Sequence, residues 1–342
     1  MNMFPYPVRR SFIGAIGSAG LYRIAGLFCK KHPRILMYHR FSETAEPGKV
    51  SAKAFEWQIQ EIRKCYKIYP LSAIVECLRS GNPVPSDAIV LTVDDGYEDF
   101  YRVAWPILKS LETPATVYIT TRFIDGDLWL WPDKLSYILD NANTKSMRLV
   151  FDGNESVFDL DNSDSITAAW KALINRMLRM RPNDRDKLLF DIADELSVNT
   201  PSAPIRKYAP MTWENIRELS SGGIAIGAHT RTHPVLSTLT REQAADEIAG
   251  SKTDIEKITG EVVHDFCYPN GAHKDYTKET SAIVKDSGYN NAVVSYHDNR
   301  SITDVYALRR YGVSEGFYSF RKVIHGLLHM SDLLGAVGNP NQ

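Results

Sequence analysis

At 342 residues, with 44% hydrophobic and 24% charged residues, the chain can bury the core of one large α/β domain or two smaller ones. A net charge of −1 leaves no basic footprint, which argues against nucleic acid as a partner. The four cysteines, Cys29, Cys65, Cys77 and Cys267, form no Cys-x-x-Cys pair, which excludes a zinc knuckle and a disulfide framework and fits a reducing compartment.

Residues 1–33 read apart from the rest. Arg9-Arg10-Ser11-Phe12-Ile13 and the Ala/Gly/Ile-rich stretch after it have the outline of a twin-arginine export signal. Arg23 interrupts the apolar run, however, and no small-residue cleavage site follows. The run is also too short and too broken to span a membrane. An amphipathic helix from Phe12 to Phe28 is expected instead, packed on the domain or in peripheral contact with a membrane surface. Location stays open between the cytoplasm, a membrane surface and export, with the first two favoured.

Arg34 to His39 reads as a strand ending in a titratable group, and residues 42–50 as a polar loop. Lys53 to Cys65 and Leu71 to Leu78 have helical spacing, and Pro83 and Pro85 then break the chain. Val90 to Val93 is an apolar strand that stops at Asp94-Asp95-Gly96-Tyr97. Neighbours on a strand point to opposite faces, and at a strand's end that alternation relaxes, so both carboxylates can enter one pocket. Two close carboxylates stay charged only beside a cation or a hydrogen-bond donor. The plainer alternative is a helix N-cap with a solvated neighbour.

Asp99 to Leu111 reads as a helix and Ala115 to Thr120 as a buried strand. Residues 123–208 then leave the alternation. They hold a Trp-rich turn (Trp129, Trp131), a hairpin around Asp152-Gly153-Asn154, and helices over Ile166–Met180 and Asp184–Leu196. This excess over one strand-helix unit predicts an inserted subdomain. Trp131 is the candidate to stack on a sugar ring, the alternative being a core aromatic.

The rhythm resumes with a helix at Thr212–Ser220 and a strand at Gly223–Ala228, which runs into His229-Thr230-Arg231-Thr232-His233. Histidines four apart lie on one side of a helical turn and suit one metal ion, although the spacing also arises by chance. Thr240-Arg241-Glu242-Gln243 is a capping box opening the next helix. His264–Tyr268, Asn291–Ser295 and Leu308–Val313 read as strands, with helices at Tyr276–Ser287 and Phe320–Leu328. Strands alternating with helices predict an α/β fold, a distorted (β/α) barrel of about seven parallel strands, with a doubly wound open sheet as the alternative.

Thr92-Val93-Asp94-Asp95-Gly96-Tyr97, His229-Thr230-Arg231-Thr232-His233 and Phe266-Cys267-Tyr268-Pro269-Asn270-Gly271 occur in this order. Together they resemble the signature of the NodB-homology polysaccharide deacetylases, carbohydrate esterase family 4. The resemblance covers about residues 34–320 and implies a distorted-barrel domain, drawn here as 34–330 with the insertion at 123–208 and a tail at 331–342. It implies Asp94 as general base and Asp95, His229 and His233 as ligands of a divalent metal, zinc by preference. His39 is the candidate general acid, by likeness to rearranged family members; His325 and His329 are a second, C-terminal candidate. Tyr97, Tyr268, Pro269, Asn270 and Trp131 are the candidate substrate contacts, with a backbone N–H near Tyr268 on the oxyanion. Where the family motif carries an arginine beside the base, this chain has Cys267, a small packed residue. Arg309 or Arg310 is the candidate to orient Asp94 instead.

The expected reaction is removal of N-acetyl groups from an N-acetylhexosamine glycan or glycoconjugate by metal-activated water. An amidase acting on a small or lipid-linked amide, and a non-catalytic carbohydrate-binding domain of the same fold, are the alternatives.

Overall fold

The computed structural model describes residues 33–326, apart from Asp127, Asp152 and 298–303. The expected N-terminal helix, His329 and the C-terminal tail lie outside the described residues. No helix among the described residues is long and apolar enough to cross a membrane.

In chain order the strands are β1 (Arg34–Tyr38), β2 (Phe41–Ser42), β3 (Val50–Ser51), β4 (Lys67–Ile68), β5 (Ala88–Val93) and β6 (Thr116–Ile119). They continue as β7 (Ser146–Phe151), β8 (Asn154–Asp159), β9 (Ala225–Ala228), β10 (Asp265–Cys267), β11 (Asn291–Val293) and β12 (Arg310–Gly312). Seven of them form a parallel sheet in the order β11-β10-β9-β6-β5-β1-β12, with β4 added beside β5. The ends meet: Val293 bridges Leu308 in parallel, and Val294 N–H donates to the Leu308 carbonyl at 2.9 Å. The sheet is a distorted (β/α) barrel, as expected, and not an open doubly wound sheet.

Every residue of β5 is buried, as a parallel strand covered on both faces requires. Its two faces go to different places. Ile89, Leu91 and Val93 pack outward among the helices Ala52–Arg63, Trp213–Ser221 and Arg241–Thr259. Ala88 and Val90 face the inner cluster with Ile35, Tyr118, Cys267, Val293 and Leu308, joined by Leu71, Ile74 and Val75 of the Leu71–Ser80 helix.

Tyr118 fits inside because its cross-strand neighbour is Gly227. A Cβ at Gly227 would stand 2.5 Å from the Tyr118 ring and 3.0 Å from the Asp265 carbonyl. Gly227→Ala is therefore expected to cost about 1–3 kcal/mol through overpacking, read as a lower Tm.

Between β6 and β9 lies a second apolar core. It joins Trp131, Leu135 and Leu139 of helix Trp131–Asp140, Met147 and Leu149 of the β7–β8 hairpin, and the helices Ser163–Met177 and Pro182–Glu195. The hairpin and the last two helices sit where the sequence predicts them. Helix Trp131–Asp140 replaces the expected Trp-rich turn: Pro132 stands in its first turn, followed by Leu135, Ile138 and Leu139 on one face.

Candidate active site

Strand alternation builds the site. Ala88, Val90 and Thr92 share the inner face of β5, and Asp94 is next on that face. Met37 and His39 continue the inner face begun by Ile35, and Cys267 and Arg310 enter from β10 and β12. All these side chains meet at the C-terminal mouth of the barrel, where βα loops gather the chemistry of such folds.

Asp94 is 2% exposed, and both its oxygens are taken by one guanidinium. Arg310 Nη1 donates to Oδ1 and Nη2 to Oδ2, each at 2.6 Å. Arg310 is itself held by the Val294 carbonyl at 3.0 Å and the Thr92 hydroxyl at 3.1 Å. Cys267 Sγ sits 3.1 Å from Arg310 Nη2 and 3.5 Å from Asp94 Oδ2. The small thiol at β10 leaves room for an arginine arriving from β12. Burial alone would raise the Asp94 carboxyl, but Arg310, with smaller help from His39 and His229, holds it below the ordinary carboxylate range.

Asp95 breaks the strand alternation with φ +75°, so the second carboxylate enters the same pocket. Its Oδ1 lies 3.5 Å from Nε2 of both His229 and His233. The histidines do not meet on a helical turn. Residues 229–233 form a loop in which Thr230 (φ +67°) and His233 (φ +57°) are left-handed, and that folding brings the rings to 4.8 Å. His229 Nδ1 lies 2.8 Å from the Cys267 carbonyl, which can only accept. Nδ1 therefore carries a proton, which leaves Nε2, turned to Asp95, as the atom that can ligate a cation.

Three donor atoms, one carboxylate and two imidazole, thus stand within 4.8 Å of one another, a set that fits a divalent cation with an open position. Asp94, His229 and Cys267 form an alternative trio, but both oxygens of Asp94 are already spent on a cationic guanidinium. Burial depresses both histidines; the neighbouring Cys267 and Asp95 outweigh it at His229, whose pKa rises, while the charge on His229 helps hold His233 down to about 3.

The cleft above the triad, about 300 Å³, is lined by Met37, His39, Tyr97, Leu130, Pro132, Trp170, Tyr268, Asn270 and Ser295 besides the residues already named. His39 is half-exposed, its Nε2 3.7 Å from Asp94 Oδ2. His325, the second acid candidate, is not among the lining residues and instead meets the Tyr66 hydroxyl at 2.8 Å. Tyr97 and Tyr268 present their rings only: Tyr97 donates to Asp133 at 2.5 Å, and Tyr268 donates to the Tyr306 carbonyl at 3.1 Å. The backbone N–H of Tyr268 is used by the sheet, donating to the Val293 carbonyl, and so is not free for an oxyanion. Pro269 is buried and leads into Asn270, whose φ of +60° turns it to the cleft with an enclosed, unpartnered side-chain nitrogen.

Trp131 does not face the cleft. It is 4% exposed within the second core, because the helix it opens turns its apolar face inward. The aromatic on that wall is Trp170, half-buried, one helix away. Only the helical period of residues 163–177 could have pointed to it, and that period puts Trp170 beside core positions.

The model of the polysaccharide deacetylase family matches residues 81–148 and 180–292, more than half of the chain. The match passes over 149–179, which hold β8 and one helix of the second core. A stretch of 50 residues is 44% identical to the poly-β-1,6-N-acetyl-D-glucosamine N-deacetylase of Escherichia coli K12, covering 15% of this chain and 7% of that protein. The fold is similar to IcaB from Ammonifex degensii, at TM-score 0.56 and 17% identity over 86% of this chain and 97% of the other. It is similar also to the deacetylase PplD of Streptococcus pyogenes, solved with acetate, at TM-score 0.55 and 17% identity over 86% and 96% of the two chains. With a parallel barrel, an aspartate pair and two histidines at its mouth, and a family match across both motifs, this chain belongs to the polysaccharide deacetylase family, hydrolases that act on carbon–nitrogen bonds.

Proposed function

We propose that the protein is a metal-dependent deacetylase that removes N-acetyl groups from N-acetylhexosamine residues of a polysaccharide, oligosaccharide or glycoconjugate. One observation carries the proposal: a carboxylate held ionised by Arg310 stands beside a separate Asp95–His229–His233 set, both opening into one cleft. A binding module has no use for a buried base oriented on both oxygens. The 44% identity to a poly-N-acetylglucosamine deacetylase supports the sugar class. The second core and the family match that skips 149–179 support an insertion at 123–208 in a domain of residues 34–330.

When bound, the metal, zinc by preference for a donor set with two imidazoles, supplies Lewis-acid polarisation of the acetamide carbonyl. Asp94 takes a proton from the water that adds to the carbonyl carbon. Arg310 keeps that carboxylate charged and fixed in angle. His39 gives a proton to the departing nitrogen as the C–N bond breaks, leaving acetate and a free amino sugar. The Asn270 amide, enclosed without a partner on the cleft wall, is the side-chain donor available to the developing oxyanion.

His39→Ala is expected to lower kcat about 10²- to 10⁴-fold while metal content stays at the wild-type level, since His39 is outside the ligand set. Chelation tests the metal. Acetate release should vanish on dialysis against chelator and return with added zinc, and His233→Ala should not regain it. Undiminished release from thoroughly chelated protein would overturn the metal reading.

A further inference from the structure

Arg185, on helix Pro182–Glu195, is 4% exposed, yet its Nε and Nη1 are enclosed with no hydrogen-bond partner. Its guanidinium lies over the Trp131 ring, 4.8 Å from the centroid. Trp131 Nε1 is also enclosed without a partner, and so is His233 Nδ1 on the cleft wall. Among the described residues no carboxylate forms an ion pair with Arg185, and its chain neighbour Asp186 is exposed. A buried, unpaired charge opposes folding, and a fold that needed only packing here would be served by leucine or methionine.

Nε and Nη1 of Arg185 and Nε1 of Trp131 can only donate. Donors gathered around a guanidinium select an anion, and its planar fork matches a carboxylate. Trp131 stands between Leu130 and Pro132, both on the cleft wall, so the group lies one side chain behind the cleft. We propose that Arg185, with Trp131, forms a carboxylate pocket that receives acetate as it leaves the cleft. The pocket's assignment to acetate rests on the deacetylase reading.

The test is thermal melting of metal-loaded protein in sodium acetate against equal sodium chloride, which needs no turnover. Acetate should raise the wild-type Tm by a few degrees beyond chloride. Arg185→Leu should lose most of that increment while melting at or above wild type in chloride, because the unpaired charge is gone. Arg185→Lys, which keeps the charge without the fork, should show a reduced increment and serves if the leucine variant fails to fold. No acetate increment in wild type, or an equal increment in the variants, would overturn the pocket. Failure of the deacetylase reading would appear separately, as no acetate released from an acetylated glycan.

Discussion

Replacing Arg310 by alanine should lower turnover about 10²- to 10⁴-fold and destabilise the fold by about 3–5 kcal/mol. The second figure follows from burial: Arg310 is 1% exposed and Asp94 2%, so removing the guanidinium strands a carboxylate away from water. The first follows from protonation state. Burial pushes the Asp94 carboxyl up, and Arg310 is the largest effect pulling it down. Without Arg310 the carboxyl rises, and the base is protonated over part of the range where the wild-type base is free. The acidic limb of the pH–rate profile should therefore move to higher pH in the variant. In wild type the depressed carboxyl contributes stability above the ordinary carboxylate range and loses it as pH falls through the lower folded value. Arg310→Lys should recover little, because an ammonium cannot satisfy both oxygens of Asp94 at once. Arg310→Ala combined with Asp94→Ala should regain part of the stability and none of the turnover. Unchanged turnover in Arg310→Ala would remove the arginine from the account.

The second large effect separates two adjacent acids. Asp94→Asn should abolish nearly all activity, a loss of about 10³-fold or more, with metal content unchanged. Asp95→Asn should fail at the earlier step, losing metal along with activity. The distinction follows from what each carboxylate touches: Asp94 faces a guanidinium through both oxygens, while Asp95 faces two imidazole nitrogens at 3.5 Å. Metal analysis of the two purified variants checks it. Metal lost from Asp94→Asn and kept by Asp95→Asn would exchange the roles.

The barrel was legible because period and composition agree: β5 is a buried run, apolar but for Thr92, and the helices around it carry caps such as Thr240 with Gln243. The pairing of Asp94, Asp95, His229 and His233 was legible from strand ends and from resemblance, but the manner of their meeting was not. Left-handed residues at Asp95, Thr230 and His233 aim the groups, and nothing in those side chains announces a positive φ. That an arginine orients the base was expected of Arg309 or Arg310, and the choice between them follows from which one β12 turns inward. Trp131 misled because an aromatic beside a cleft-lining proline has no marker of its facing until the helix it opens is seen. Arg185 has no local signal at all: a basic residue in a polar helix reads as solvated, and only tertiary packing buries it.

Acetate release from N-acetylglucosamine oligomers by the zinc-loaded protein, run beside Asp94→Asn, tests the central claim most directly. Release by the wild type that chelator removes and the substitution abolishes is the predicted result. No release from oligomers of any length by protein holding a full equivalent of metal would contradict it.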